Sequence, residues 1–132
     1  MNKLEGKIES ISVKGSLSLV MVNVNNTLLT TIVIDNPETS PYLKEEKPVK
    51  VIFKETEVII GKGEQNQISL QNKFKGKIDS IDTGELLCKI NINTSVGKIA
   101  SIITANAVRK LDLKPGTEVT AMIKTNEMML SK

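Results

Sequence analysis

The segment Asn72-Lys73-Phe74-Lys75-Gly76-Lys77-Ile78-Asp79-Ser80-Ile81 repeats an earlier one, Asn2-Lys3-Leu4-Glu5-Gly6-Lys7-Ile8-Glu9-Ser10-Ile11. Seven of the ten aligned positions are identical, and the two segments start 70 residues apart. The same offset relates Lys54 to Lys124. A match this dense at one fixed spacing indicates an internal duplication. The sequence therefore predicts two copies of one small module.

The second copy has the pattern of a small β module. Apolar residues alternate with polar ones in three stretches up to residue 104, and turn-forming residues separate these stretches, which predicts three strands. A helix is predicted over residues 105–111, stopped by Lys114-Pro115-Gly116, and two more strands follow. This order is that of a five-stranded barrel of the oligonucleotide/oligosaccharide-binding (OB) kind.

The first copy has the same order, with Asp35-Asn36-Pro37-Glu38 as a helix-start signal. Pro41 and the charged stretch 44–48 leave room for only a short turn of helix. The fold prediction is mainly β: two tandem small five-stranded OB-like β-barrels, each with one short helix.

Residues 61–67, between the copies, contain two glycines, polar neighbours and no apolar residue, which is typical of a linker or hairpin turn. We therefore place the first module at residues 1–61, the linker at 62–67 and the second module at 68–132. Modules of this size bury only about 60% of their unfolded surface, so we expect burial against other copies.

Composition argues against several classes of function. Eighteen basic and fifteen acidic residues are interspersed, which favours a mixed solvated surface over a nucleic-acid footprint. Aromatic residues make up only 2% of the chain, whereas barrels that bind nucleic acid stack bases on aromatic side chains. The chain has no histidine, and no nucleophile-base pair, carboxylate dyad or metal cluster can be found, so we expect no enzyme.

The chain has a single cysteine, Cys88, which excludes an intrachain disulfide and fits a reducing compartment. The residues after Met1 form no apolar run that resembles a signal or transmembrane segment. We expect a cytoplasmic protein without membrane contact.

Three stretches of the second copy resemble the Mop family of molybdate- or tungstate-binding modules, which belong to the TOBE class. They are Asn72–Ile78, Ile102–Gly116 and Val119–Lys124, in the family's order and spacing. Two fused copies resemble the di-Mop proteins, in which three chains assemble six modules and bind tetrahedral oxyanions at subunit interfaces. The resemblance implies a homotrimer that binds molybdate or tungstate for storage or homeostasis.

A tetrahedral dianion needs hydrogen-bond donors on several sides and at least one positive charge. The start of the predicted helix offers Thr104 Oγ1 and the following backbone N–H groups, and Lys124 offers an ammonium beside the Thr125 hydroxyl. The resemblance implies that the segment 69–71, before the first strand, also contacts the anion. The predicted site residues are Ser69, Leu70, Gln71, Thr104, Ala105, Ala107, Lys124 and Thr125, with Lys54 as a candidate from the first copy.

The sequence departs from the family at several of these positions. Gln71 stands where the family has an arginine, and Ala107 where it has a serine. In the first copy, Ile34 replaces Thr104, Pro37 replaces Ala107, and Glu55, which would repel a dianion, replaces Thr125. We therefore expect fewer or weaker sites than in a standard family member.

Two alternative functions stay open at this point. One is the oxyanion-sensing domain of a molybdate-responsive regulator or transporter ATPase, whose other domains would lie elsewhere. The other is an OB-like barrel that binds nucleic acid, against which the aromatic content argues.

Overall fold

A computed structural model describes all residues from Met1 to Lys132 and is dominated by β-strands. The ten strands are β1 (Asn2–Lys14), β2 (Leu17–Val24), β3 (Thr27–Val33), β4 (Pro48–Phe53), β5 (Ile59–Lys62), β6 (Asn72–Thr83), β7 (Leu87–Thr94), β8 (Gly97–Thr104), β9 (Glu118–Ile123) and β10 (Met129–Ser131). One α-helix, α1 (Ala105–Leu111), follows β8, and 3-10 turns at Glu55–Glu57 and Thr125–Glu127 follow β4 and β9. The mainly β prediction is confirmed.

The helix expected in the first copy does not form. Residues after β3 make turns instead, in which the side-chain oxygen of Asn36 accepts hydrogen bonds from the N–H groups of Glu38 at 2.9 Å and Thr39 at 3.2 Å. These local bonds compete with helical ones, and Pro41 cannot extend a helix. The prediction of one helix per copy is therefore wrong for the first copy.

The ten strands form two antiparallel five-stranded sheets that exchange their last strands. The orders are β10-β4-β1-β2-β3 and β5-β9-β6-β7-β8. Ile59 of β5 lies opposite Met122, and the repeat-related Met129 of β10 lies opposite Ile52. Each copy thus lends its fifth strand to the other copy's sheet. The boundaries expected for two tandem modules stay a prediction, since each hydrogen-bonded sheet draws on both copies.

Each copy's first strand pairs with two partners and bends between them. β1 pairs with β4 and then with β2, and the register shifts between Ile8 and Ser10. A Cβ at Gly6 would lie 2.5 Å from the carbonyl oxygen of Asn23, and one at Gly76 would meet the carbonyl of Asn93. Glycine at this repeated position therefore lets two backbones approach closely.

The two copies share one hydrophobic core of aliphatic side chains together with Phe53 and Phe74. Buried hydroxyls join the copies: Thr31 Oγ1 donates to the carbonyl of Met128 at 2.8 Å, and Ser101 Oγ donates to that of Val58 at 2.8 Å. These repeat-related bonds place the turn after β9 against β3, and the turn after β4 against β8. The α-helix α1 has only seven residues and is too short to span a membrane.

Candidate functional site

Five of the residues predicted from sequence lie around one surface cavity of about 290 Å³, which we call the Lys124 pocket. Its lining residues are Leu19, Ile32, Ser69, Leu70, Gln71, Lys124 and Thr125. The segment before β6 and the turn after β9 thus come together, and two residues of the first copy complete the wall.

Strand pairing explains why these segments meet. Asn72, the first residue of β6, lies opposite Ile123, the last residue of β9. Gln71 directly precedes Asn72 and Lys124 directly follows Ile123, so the two residues lie at the same end of the sheet. Lys124 has extended backbone and precedes the 3-10 turn, where its carbonyl accepts the N–H of Glu127 at 3.0 Å.

The pocket carries a positive charge that the chain itself does not neutralise. Lys124 is exposed and forms no ion pair, because the salt bridges in the structure join other groups. Ser69 and Gln71 are exposed beside it, and Thr125 is half-buried. A lysine with hydroxyl and amide donors around an open cavity suits a small anion.

The apolar wall of the pocket comes from the first copy. Leu19 on β2 lies opposite Ile32 on β3, and β3 packs against the turn Thr125–Glu127. These two residues are not among the site residues predicted from the sequence. No local signal could have identified them, because their position depends on packing between the two copies.

The helix-start residues lie elsewhere. Thr104 ends β8, and neither it nor Ala105 nor Ala107 lines the Lys124 pocket. Thr104 Oγ1 accepts the N–H of Ala107 at 3.1 Å, and the N–H of Ala105 donates to the carbonyl of Leu86 at 2.8 Å. Thr104 is therefore an N-cap in this structure, and its own O–H remains as a donor together with the N–H of Asn106.

Lys54, the candidate from the first copy, precedes the turn Glu55–Glu57 just as Lys124 precedes its turn. That turn packs against β8, so Lys54 lies near the second copy's third strand rather than beside Lys124's turn.

In the first copy, the carboxylate of Asp35 lies at the position that corresponds to the start of α1 in the second copy. Asp35 accepts hydrogen bonds from the hydroxyls of Ser40 and Thr39 and from the N–H of Asn36. The Ser40 bond, followed by those from Thr39 and Asn36, lowers the pKa of Asp35 below its ordinary value of 3.8. This position therefore carries negative charge in the first copy.

Apolar side chains are exposed next to the start of α1 and next to the corresponding position of the first copy. Ile34, two residues beyond Ile32, is 84% exposed, and Leu86, just before β7, is 81% exposed. The repeat-related Leu17 and Leu87 are also exposed. No group of three or more His, Cys, Asp or Glu side chains is arranged to hold a metal ion.

Comparison with known proteins identifies relatives of both copies. The TOBE domain family model matches residues 68–130. Molybdenum-pterin-binding protein 1 of Clostridium pasteurianum is 36% identical over 64 residues, which cover 48% of this chain and 94% of that protein. Molybdenum-pterin-binding protein 3 of the same organism is 34% identical over 64 residues, with the same coverage.

Two longer matches span nearly the whole chain. The molybdenum import ATP-binding protein ModC of Rhizobium etli is 30% identical over 123 residues, covering 92% of this chain but only 32% of ModC. The structure of the cytoplasmic molybdate-binding protein ModG with molybdate bound has a TM-score of 0.90 at 23% identity, covering 98% of this chain and 94% of ModG. The likeness to ModG shows a shared fold.

Proposed function

We propose, because the chain belongs to the Mop family of molybdenum-pterin-binding proteins, that it binds molybdate without transforming it. The observation that carries this proposal is the Lys124 pocket, where an unpaired lysine faces a cavity beside the segment that leads into β6. The role we infer is storage or homeostasis of the oxyanion in the cytoplasm, where ModG is also found.

The pocket's donors suit a tetrahedral oxyanion. Lys124 supplies the charge, Ser69 and Thr125 supply hydroxyls, and Gln71 supplies an amide in place of a guanidinium. The backbone of Leu70 lines the same wall. Since an amide is a weaker partner for an anion than a guanidinium is, we expect modest affinity. Tungstate has the same shape and charge as molybdate, so the same donors serve both.

One lysine only half-neutralises a dianion, which points to further donors from a neighbouring chain. Thr104 Oγ1 and the Asn106 N–H are available for this, and they lie outside the pocket of their own chain. We infer that they face the pocket of a second chain, with the amides of Ala105 and Ala107 holding the helix start in place.

The exposed apolar residues support an assembly of this kind. Ile34 and Leu86 would lose most of their contact with water if chains packed through the surfaces that carry them, and burial of such side chains stabilises association. We propose a homotrimer whose pockets lie at the interfaces between chains.

Titration calorimetry with molybdate, tungstate, sulfate and phosphate tests the function. We expect heat with the first two at lower concentration than with sulfate or phosphate. A folded protein that gives no heat with any of the four anions, even at millimolar concentration, contradicts the proposal. Light scattering after size exclusion measures the assembly in the same samples.

A second function is favoured by the similarity to ModC over 92% of this chain. In that case the two copies form the oxyanion-sensing part of a transporter ATPase. Intact mass spectrometry of the protein from its source cells separates the two functions, because the storage function predicts a chain of 14.5 kDa. A markedly heavier chain with an ATP-binding domain supports the transporter function.

A further inference from the structure

The Lys124 pocket has a repeat-related counterpart at the turn after β4. Five of the seven pocket residues have a counterpart at the repeat offset of 70: Leu19 corresponds to Lys89, Ile32 to Ile102, Gln71 to Met1, Lys124 to Lys54 and Thr125 to Glu55. We call the place where these five residues meet the counterpart pocket.

The structure brings these residues together in the same way as in the Lys124 pocket. Lys89 lies opposite Ile102 in the β7–β8 pairing, as Leu19 lies opposite Ile32. The turn that begins at Glu55 packs against β8, and Ser101 Oγ fixes it by donating to Val58. The strands and the turn around the counterpart pocket are therefore arranged as they are around the Lys124 pocket, but its side chains differ and nothing corresponds to Ser69 and Leu70.

The carboxylate of Glu55 puts a negative charge in the counterpart pocket. A side-chain oxygen of Glu55 lies 3.0 Å from the α-amino nitrogen of Met1. The hydrogen bond from its own N–H, the bond from that amino group and the charge of Lys89 lower the pKa of Glu55 below its ordinary value of 4.5. The Glu55 carboxylate is thus ionised at neutral pH, and it interacts with both the Met1 amino group and Lys89.

We propose that the counterpart pocket is a second oxyanion site that Glu55 keeps closed. The inference rests on the proposed function of the Lys124 pocket. Glu55 puts a carboxylate where the Lys124 pocket has the Thr125 hydroxyl, so it repels an incoming dianion and offsets the positive charges of the Met1 amino group and Lys89 that would attract one.

Without the Glu55 carboxylate, the counterpart pocket carries more positive charge than the Lys124 pocket does. Lys54 matches Lys124, and Lys89 adds a second ammonium where the Lys124 pocket has the apolar Leu19. Threonine suits the position, because the repeat-related turn carries Thr125 with nearly the same backbone: the φ, ψ angles before the two turns are −76°, 146° and −69°, 149°.

The test uses a reciprocal exchange of the two residues in the full chain. Tungstate is titrated by calorimetry into the wild type, Glu55→Thr, Thr125→Glu and the double variant that carries both changes. We expect Glu55→Thr to bind more anions per chain than the wild type, and Thr125→Glu to lose at least about tenfold in affinity. The double variant should regain binding, now at the counterpart pocket.

Glu57→Thr is the matched control, since it removes one negative charge from the same 3-10 turn outside the counterpart pocket. It should bind like the wild type. Circular dichroism confirms that each variant is folded. Crystals of the double variant soaked in tungstate locate the metal by its anomalous scattering, which should appear beside Lys54 and Lys89.

The outcomes separate this inference from the proposed function. If the wild type binds tungstate but neither Glu55→Thr nor the double variant gains binding, the inference of a closed site is wrong. The proposed function then remains intact. No binding by the wild type overturns the proposed function, and binding by Glu55→Thr alone would still support the closed site. An equal gain by Glu57→Thr would show a general charge effect and overturn the inference.

Discussion

Asn72 hydrogen-bonds both backbone groups of Thr30: its side-chain oxygen accepts the Thr30 N–H at 2.8 Å, and its amide nitrogen donates to the Thr30 carbonyl at 2.8 Å. Asn2 pairs with Ala100 in the same way, at 2.8 and 2.9 Å. In each case a side chain that begins the first strand of one copy satisfies the backbone of the other copy's third strand. Asn72 also follows Gln71 directly, so this contact anchors one wall of the Lys124 pocket.

Replacing Asn72 with alanine should destabilise the protein by about 2 kcal/mol or more, because it leaves buried backbone groups of Thr30 unpaired. Urea unfolding followed by circular dichroism measures the loss. Asn2→Ala is the control, and its effect should be smaller because the Asn2 bonds are only partly buried. Anion affinity should fall in Asn72→Ala and stay nearly unchanged in Asn2→Ala; the reverse order would contradict the anchoring role.

Lys124→Ala should weaken molybdate binding by at least about tenfold, since a charge-assisted hydrogen bond is lost while the exposed side chain contributes little to folding. Calorimetry gives the affinity, and the unfolding midpoint should stay close to that of the wild type. Lys54→Ala removes the repeat-related lysine and should bind as the wild type does. Equal losses in both variants would mean that the Lys124 pocket is misplaced.

Acid should selectively weaken the turn that replaces the first copy's helix. The pKa of Asp35 is lower in the folded chain than its ordinary value of 3.8, so the stabilisation is present above that value and disappears as pH falls through the folded pKa. Asp35→Asn should therefore be less stable than the wild type at pH 6, and the difference should shrink in acid.

Thermal unfolding at a series of pH values measures this trend. Glu38→Gln removes a charge from the same region without touching the hydroxyls of Thr39 and Ser40, and it serves as the comparison. A stability difference between Asp35→Asn and the wild type that does not change with pH would count against the role of the carboxylate.

A protein made of residues 68–132 alone should form strand-exchanged dimers, and three such dimers should join if the full chain is a trimer. It lacks β5, the strand that covers β9 in the full chain, but its own β10 corresponds to β5 by the repeat. Two such chains can exchange β10 and restore both sheets, as the copies do within one chain. Light scattering after size exclusion gives the mass, and a folded monomer would show that exchange is not required.

The duplication, the strand order and much of the pocket could be predicted from sequence. The repeated segments at Asn2 and Asn72 give the two copies, and alternating residues give the strands. Gln71 and Lys124 meet because neighbouring strands end together, which the barrel prediction already implies.

The exchange of strands could not be predicted. Ile59 and Met129 are repeat-related, so each would fit the edge strand of either copy, and no local pattern chooses between them. The separation of Thr104 from Lys124 follows from that exchange, because each copy's last turn packs on the other copy's third strand. Leu19 and Ile32 join the pocket for the same reason.

The exchange of β5 and β10 also gives the first copy a structural role that does not depend on anion donors. The first copy supplies the strand that completes the second copy's sheet, and it receives one in return. Deleting or unfolding one half exposes the edge of the other half's sheet, unless a second chain supplies the missing strand. We therefore expect mutations that remove anion donors from the first copy to be tolerated as long as its backbone still completes the second copy's sheet, so its ligand chemistry is free to change while its architecture is not.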